Sequence, residues 1–347
     1  MVSLNPFFAK RRARKWWPYI IVLVLVIIGY YKGMFYQISD SSASNAYEEQ
    51  TRATMKEVFS LQRQVKLLKS VLKRYSIPEK EYSDVLLPVI YIITPTFARP
   101  HQKAELTRLK NVFLHVPALH WIVVEDAPQK SHMVSDFLEL SGLTFTHLHQ
   151  LTPDDWKLKD NDPIWRKPRG VLQRNAGLKW LRRKFLYDGN PRGVVYFADD
   201  DNTYSTELFI EMRDTRTVSV WPVGLVGGVM VERPLVSSAD HKDTAPRVTG
   251  WLTGWKPNRP FAIDMAGFAI NLSLLLKKNN IEFNLNSPIG YLESNLLEKL
   301  VTLDQLEPKA ELCTKVYVWH TRTEKPNMKD EERLRKEGKA TNNGIEV

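Results

Sequence analysis

From residue 87 onward the chain alternates short apolar runs with amphipathic stretches, and that alternation predicts its elements. Leu87 to Thr94 reads as a buried strand, His101 to Val112 has helical spacing, and Trp121 to Glu125 is a second buried strand. Strand, helix and strand in that order open a Rossmann-type, mostly parallel α/β sheet flanked by helices. A further strand is predicted near Thr144 to Leu148, a helix from about Gly170 to Lys184, and an apolar strand from Gly193 to Ala198. Later helices are expected from near Ser205 and from Ser294 to Val301, with a strand from Lys315 to Trp319. Sheets of this class collect ligands where their strands end, which singles out Pro95, Arg99 and Asp126.

Ahead of residue 87 the pattern changes. Trp16 to Tyr31 carries no charge and Ile20 to Ile28 is continuously aliphatic. Counted through Tyr36, with Lys32 snorkelling, the run reaches the roughly 20 residues that span a bilayer. Aromatic residues flank both ends, and Lys10, Arg11, Arg12, Arg14 and Lys15 precede it, an arrangement that keeps the N-terminus cytosolic. The expected organisation is a cytosolic tail (1–15), a transmembrane signal anchor (16–36), a stem (37–86) and a luminal catalytic domain (87–347). A cleaved signal peptide ending near Ser41-Ser42-Ala43 is the competing reading, but that site lies well beyond the apolar run. A short span suits the thinner membranes of the early secretory pathway, so a single-pass type II protein of the Golgi membrane is expected. In the stem, Val58, Leu61, Val65, Leu68, Leu72 and Tyr75 fall at a and d positions of a short coiled coil or one face of a lone helix, which Ile77-Pro78 ends.

Composition adds two constraints. The net charge of +10 looks at first like a nucleic-acid signature, but five of the positive charges sit in the cluster before the apolar run. No nucleic-acid motif accompanies the charge, and the remainder suits an anionic small ligand such as a nucleotide diphosphate. With a single cysteine, Cys313, neither an intramolecular disulfide nor a zinc site of several thiolates can form.

The apolar strand ending at Ala198 runs directly into Asp199-Asp200-Asp201-Asn202. Three adjacent carboxylates at the end of a buried strand repel one another, and a divalent cation bound by hard oxygen ligands, Mn²⁺ or Mg²⁺, removes that cost. In an extended chain Asp199 and Asp201 share a face and Asp200 points away. An Asp-rich turn ahead of the next helix is the plainer alternative.

These residues also carry a resemblance. Val194 to Ser205 resembles the metal-site segment of the β1,3-glucuronosyltransferases of glycosyltransferase family 43. The similarity extends through Thr94-Pro95-Thr96, Glu125-Asp126-Ala127, Pro168-Arg169-Gly170, Gln173-Arg174-Asn175, Trp221 to Gly224, Asp264 to Ala269, Leu292-Glu293-Ser294 and Trp319 to Pro326. It implies a GT-A-like fold over about residues 87–347. Within the family, Gly224 to Gly228 and the closing Gly344 to Val347 are similar to members that extend the Gal-Gal-Xyl linkage of proteoglycan core proteins, on the route to heparan and chondroitin sulfates. Two departures stand out: Cys313 lacks the preceding Asn of the family's common sequon, and the stem has no cysteine. Asn271-Leu272-Ser273 is a sequon in an apolar context, where burial is expected.

The resemblance implies inverting transfer from UDP-glucuronic acid, with Glu293 as the base that takes the acceptor's proton. Glu293 is equally at home in the first turn of a helix, where the dipole favours glutamate. By the same resemblance Asp201 is the metal ligand, with Asp199 and Asp200 beside the ribose and behind the metal. Asp126 matches a uracil contact, Pro95 a backbone contact to the nucleotide, and Arg169, Arg174, His320 and Arg322 donor contacts. Glu232, Trp255, Arg259 and Asp264 match positions around the acceptor galactose and the glucuronate. The family's C-terminal segment reaches into the neighbouring subunit's site, which implies a homodimer. Three functions stay open: transfer to the proteoglycan linkage galactose, transfer to terminal galactose of N-acetyllactosamine-type glycans, and sugar binding without turnover.

Overall fold

The computed structural model describes residues 87–157, 167–187, 191–237, 246–278, 280–324 and 326–343. The expected tail, anchor and stem, with the coiled-coil positions 58–75, lie outside the described residues, as do 344–347. Among the described residues no helix is long and apolar enough to cross a membrane.

The main sheet has seven strands. In chain order they are β1 (Val89–Thr96), β2 (Leu119–Glu125), β3 (Thr144–His149), β4 (Gly193–Phe197), β6 (Val218–Val220), β10 (Phe268–Asn271) and β11 (Leu306–Pro308). Across the sheet they run β11-β6-β10-β4-β1-β2-β3. β1 is parallel to β2 and β4, β2 to β3, and β6 to β11, while β10 is antiparallel to both its neighbours. The expectation of a mostly parallel sheet holds, with one strand reversed.

Alternation along the strands sends side chains to two cores, as a pleated sheet covered on both faces requires. Tyr91, Ile93, Ile122, Val124, Val195 and Phe197 pack on one face with Leu178 and Leu181 of the helix that follows β3. Ile90, Ile92, Trp121, Val123, Val194 and Tyr196 pack on the other with Leu106, Leu109 and Phe113. Those last three belong to α1 (Gln102–Phe113). Next come α2 (His132–Glu139), started by Ser131, whose Oγ accepts from the Val134 N–H at 3.3 Å, and α3 (Val171–Lys184). α4 (Thr206–Glu211) begins after Ser205, as expected. α5 (Leu272–Lys277) is capped by Asn271, whose Oδ1 accepts from Leu274 N at 3.0 Å while its Nδ2 donates to Thr215 O at 3.0 Å. The sequon asparagine is therefore half-buried and committed to the fold at both ends of its amide.

A second sheet, absent from the sequence reading, stands beside the first. It runs β5-β12-β7-β8-β9, built from β5 (Thr203–Tyr204), β7 (Val223–Val226), β8 (Val229–Val236), β9 (Val248–Leu252) and β12 (Val318–Trp319). The strand expected over Lys315–Trp319 is cut to two residues because β5 offers only Thr203 and Tyr204 as partners and β7 only Gly224. The helix expected from Ser294 to Val301 instead spans Leu292–Leu297 (α6), so Glu293 lies inside its first turn. Cys313 is buried and closes a left-handed turn of four residues beginning at Ala310.

Candidate active site

The β7–β8 hairpin, the loops carrying Trp255, Asp264 and Gly290, and the segment after β12 surround a cavity of about 830 Å³. Eight of the residues singled out from sequence line it: Arg169, Glu232, Trp255, Arg259, Asp264, Glu293, His320 and Arg322. Pro95, Asp126, Arg174 and the aspartate triplet are placed next to it rather than along that wall.

The triplet follows β4, but Asp200 and Asp201 form a turn rather than an extended segment. The alternation survives in part. Asp199 pairs with Arg174, whose guanidinium also donates to Arg169 O at 2.8 Å. Asp200 is 6% exposed and pairs with Arg99 at 2.7 Å, and Arg99 in turn pairs with Glu105 of α1. Burial pushes the Asp200 carboxyl up against the pull of Arg99. Asp201 is different: its carboxylate makes no hydrogen bond or ion pair with the described residues. Burial, and then the charges of Asp199 and Asp200, raise it to about 6.

That unbalanced carboxylate is what a cation would neutralise, and hard oxygen chemistry fits it. Among the described residues no three His, Cys, Asp or Glu side chains cluster as a ready-made metal cage. A divalent ion held at Asp201 would therefore complete its shell with ligand oxygens and water, as small divalent cations do on nucleotide phosphates.

His320 and Arg322 stand after β12. His320 Nδ1 faces Asp264 Oδ2 at 3.2 Å, and its Nε2 lies 3.5 Å from Arg322 Nη2. The hydrogen bond to Asp264 raises the imidazole above its usual value. Although burial pushes Asp264 up, the His320 contact and the Ala266 N–H hold its carboxyl below the ordinary range. The Arg322 guanidinium and the His320 imidazole, side by side on the cavity wall, suit a diphosphate.

The opposite wall is carboxylate and indole. Glu232 on β8 and Arg259 are both buried and lie 3.6 Å apart, and Thr253 Oγ1 donates to the same Glu232 oxygen. Burial raises Glu232 to about 7. Arg259 also clamps the loop ahead of α6, donating to Gly290 O at 2.9 Å and Trp255 O at 3.0 Å. Gly290 has φ +84°, and a Cβ there would sit 2.7 Å from Trp255 Nε1, so only glycine lets the indole lie against the loop carrying Glu293. Trp255 stays 38% exposed, an aromatic face open to a sugar. Glu293 is half-buried, and burial, followed by the charge of Asp264, raises it to about 7.

Pro95 packs against Gly170, where a Cβ would meet its ring at 3.1 Å, so β1 is pressed onto the start of α3. Asp126 holds the chain after β3, accepting from Thr152 N at 2.7 Å and Thr152 Oγ1 at 2.8 Å. Sequence reasoning missed Thr253, Gly290 and Thr321. Thr321 lies between His320 and Arg322, and its hydroxyl, like Thr253 and Gly290, gains a partner only once the chain is folded.

An α/β fold whose cleft carries guanidinium groups and raised carboxylates, with an acidic triplet beside it, has the layout of an enzyme site for an anionic ligand. The chain belongs to glycosyltransferase family 43, whose model matches residues 109–324. It is 53% identical over 279 residues to mouse galactosylgalactosylxylosylprotein 3-beta-glucuronosyltransferase 3, covering 78% of this chain and 81% of that one. The human protein of that name is 54% identical over 269 residues, covering 75% and 78%. Human galactosylgalactosylxylosylprotein 3-beta-glucuronosyltransferase 1 is 55% identical over 251 residues, covering 72% and 73%. Among solved structures, S. aureus TarS 1-349 in complex with UDP aligns at 18% identity with a TM-score of 0.42, covering 68% of this chain and 61% of that one.

Proposed function

We propose that the protein transfers glucuronic acid from UDP-glucuronic acid, with inversion, to the 3-hydroxyl of a terminal galactose in the Gal-Gal-Xyl linkage of a proteoglycan core protein. The observation that carries this reading is Glu293, a carboxylate raised to about 7 on the same cavity as the His320–Arg322 pair. A base poised near neutrality is matched to removing a hydroxyl proton.

In the reaction, the acceptor oxygen forms a bond to C1 of the glucuronosyl group while the bond from C1 to the diphosphate oxygen breaks. The hydroxyl proton passes to Glu293 and the electron pair leaves with UDP. His320 and Arg322 bind the diphosphate and offset its growing charge. Arg174 and Asp199 orient the donor side, and Asp126 and Pro95 form the base end. Trp255 stacks on the acceptor galactose, and Glu232, Arg259 and Asp264 hold hydroxyls and the glucuronate. Asp201 would hold Mn²⁺, or Mg²⁺ in its place, and the bound cation would supply Lewis-acid stabilisation of the leaving diphosphate.

The apolar run at 16–36 supports a type II anchor in the Golgi membrane with the catalytic domain luminal. The family's C-terminal exchange supports a homodimer. Transfer to N-acetyllactosamine-type glycans is the alternative. A competition assay between Galβ1,3Gal- and Galβ1,4GlcNAc-terminated acceptors tests the choice: preference for the first is expected, and preference for the second overturns the linkage assignment.

A further inference from the structure

Asp201 must hold a short side chain in place from a turn that no strand pairs. An aspartate carboxylate sits one methylene from its backbone, so its position follows the peptide that carries it. The Asp201 carbonyl is gripped from two sides: Arg108 Nη2 of α1 donates to it at 2.8 Å, and Thr321 Oγ1 donates at 2.7 Å. Both lone pairs of one carbonyl oxygen are thereby used. Thr321 has a single hydroxyl proton. Because that proton goes to Asp201, the 3.0 Å contact with Thr203 Oγ1 runs the other way, from Thr203 to Thr321.

The two grips come from different parts of the fold. Arg108 shares a face of α1 with Glu105, three residues earlier, which pairs with Arg99 and through it with Asp200. One helix therefore braces two members of the triplet. Thr321 lies between His320 and Arg322 and lines the same cavity. It ties the Asp201 turn to the segment that presents His320 and Arg322. One step back, the Tyr204 hydroxyl donates to Asp199 O at 2.9 Å, so the triplet is fastened by side chains at both ends.

We propose that Thr321 and Arg108 are positioning residues that hold the Asp201 carboxylate at a fixed place relative to His320 and Arg322, so that cation and diphosphate are bound as one unit. This rests on the assignment of Asp201 as the cation-holding residue. Neither residue touches the reacting atoms; each acts through the backbone of Asp201.

The test uses the full-length protein in detergent, with free Mn²⁺ followed by electron paramagnetic resonance in the presence of UDP, and melting midpoints as a control for folding. Losing one hydrogen bond to this carbonyl is expected to weaken Mn²⁺ affinity about tenfold in Thr321→Val. Thr321→Ser keeps the hydroxyl and is expected to restore Mn²⁺ affinity to within about twofold. UDP affinity without metal is expected to be unchanged in both, which a general structural defect would not leave intact. Arg108→Gln, at an exposed position, supplies the same test should Thr321→Val fail to fold. Native Mn²⁺ affinity in Thr321→Val and Arg108→Gln, alongside loss in Asp201→Ala, overturns the positioning roles alone. Native affinity in Asp201→Ala overturns them together with the assignment of Asp201.

Discussion

Asp264 sets the charge of two partners at once: its Oδ2 lies 3.2 Å from His320 Nδ1, and its negative charge adds to the rise of Glu293. One buried carboxylate thus favours the charged form of the His320 imidazole and adds to the rise of Glu293, the proposed base. Removing it should move the two groups in the same direction, since both are raised by the same charge. In Asp264→Asn the His320 value should fall, read by NMR of the ring. The acid limb of the kcat/KM profile should move to lower pH as Glu293 loses one source of its shift. Burial remains, so the limb should stay above the ordinary glutamate range. An unmoved acid limb would show that Asp264 does not act on Glu293.

Glu293→Gln separates binding from turnover. A positioned base contributes roughly 10²- to 10⁴-fold, so kcat should fall by about that factor while UDP affinity stays native. The same variant makes a stability prediction with a definite sign. Glu293 binds its proton more tightly in the folded state, at about 7 against an ordinary 4.5, so its contribution is fully present below pH 4.5 and fades as pH rises through 7. Glutamine does not titrate. The melting midpoint of Glu293→Gln relative to the native protein should therefore rise between pH 4.5 and pH 7.5, and a flat difference across that window would contradict the raised value.

Gly290 is the second place where geometry makes a sharp demand. Alanine would have to adopt φ +84° and place its Cβ 2.7 Å from the Trp255 indole nitrogen. Backbone strain of this kind costs about 1–3 kcal/mol, and the indole must also move. Gly290→Ala should lower the melting midpoint and raise the acceptor KM more than the KM for UDP-glucuronic acid. An equal rise in both would place Trp255 away from the acceptor.

Much of the main sheet is legible in the sequence because its strands are continuous apolar runs. β1, β2 and β4 are buried on both faces, and apolar residues recur at helical spacing in α1. The second sheet is not legible. β5 and β12 are two residues each, too short for any periodicity, and they exist only because distant segments pair Val318 with Tyr204. The triplet was visible as an excess of charge at a strand's end. That its members part company, with Asp199 on Arg174, Asp200 on Arg99 and Asp201 left without a cation, depends on three loops the sequence does not align. Glu293 was found through its neighbours Leu292 and Ser294, and its raised carboxyl could come only from the enclosing fold.

The proposed reaction is direct displacement at C1 with Glu293 as base. The most direct test incubates the purified protein with UDP-glucuronic acid and Galβ1,3Gal, then reads the anomeric proton of the new glucuronosyl residue by NMR. The donor is α-linked, so a single inverting step predicts the large coupling of a β-linked product at the galactose 3-position. A small coupling, diagnostic of an α-linked product, would contradict it.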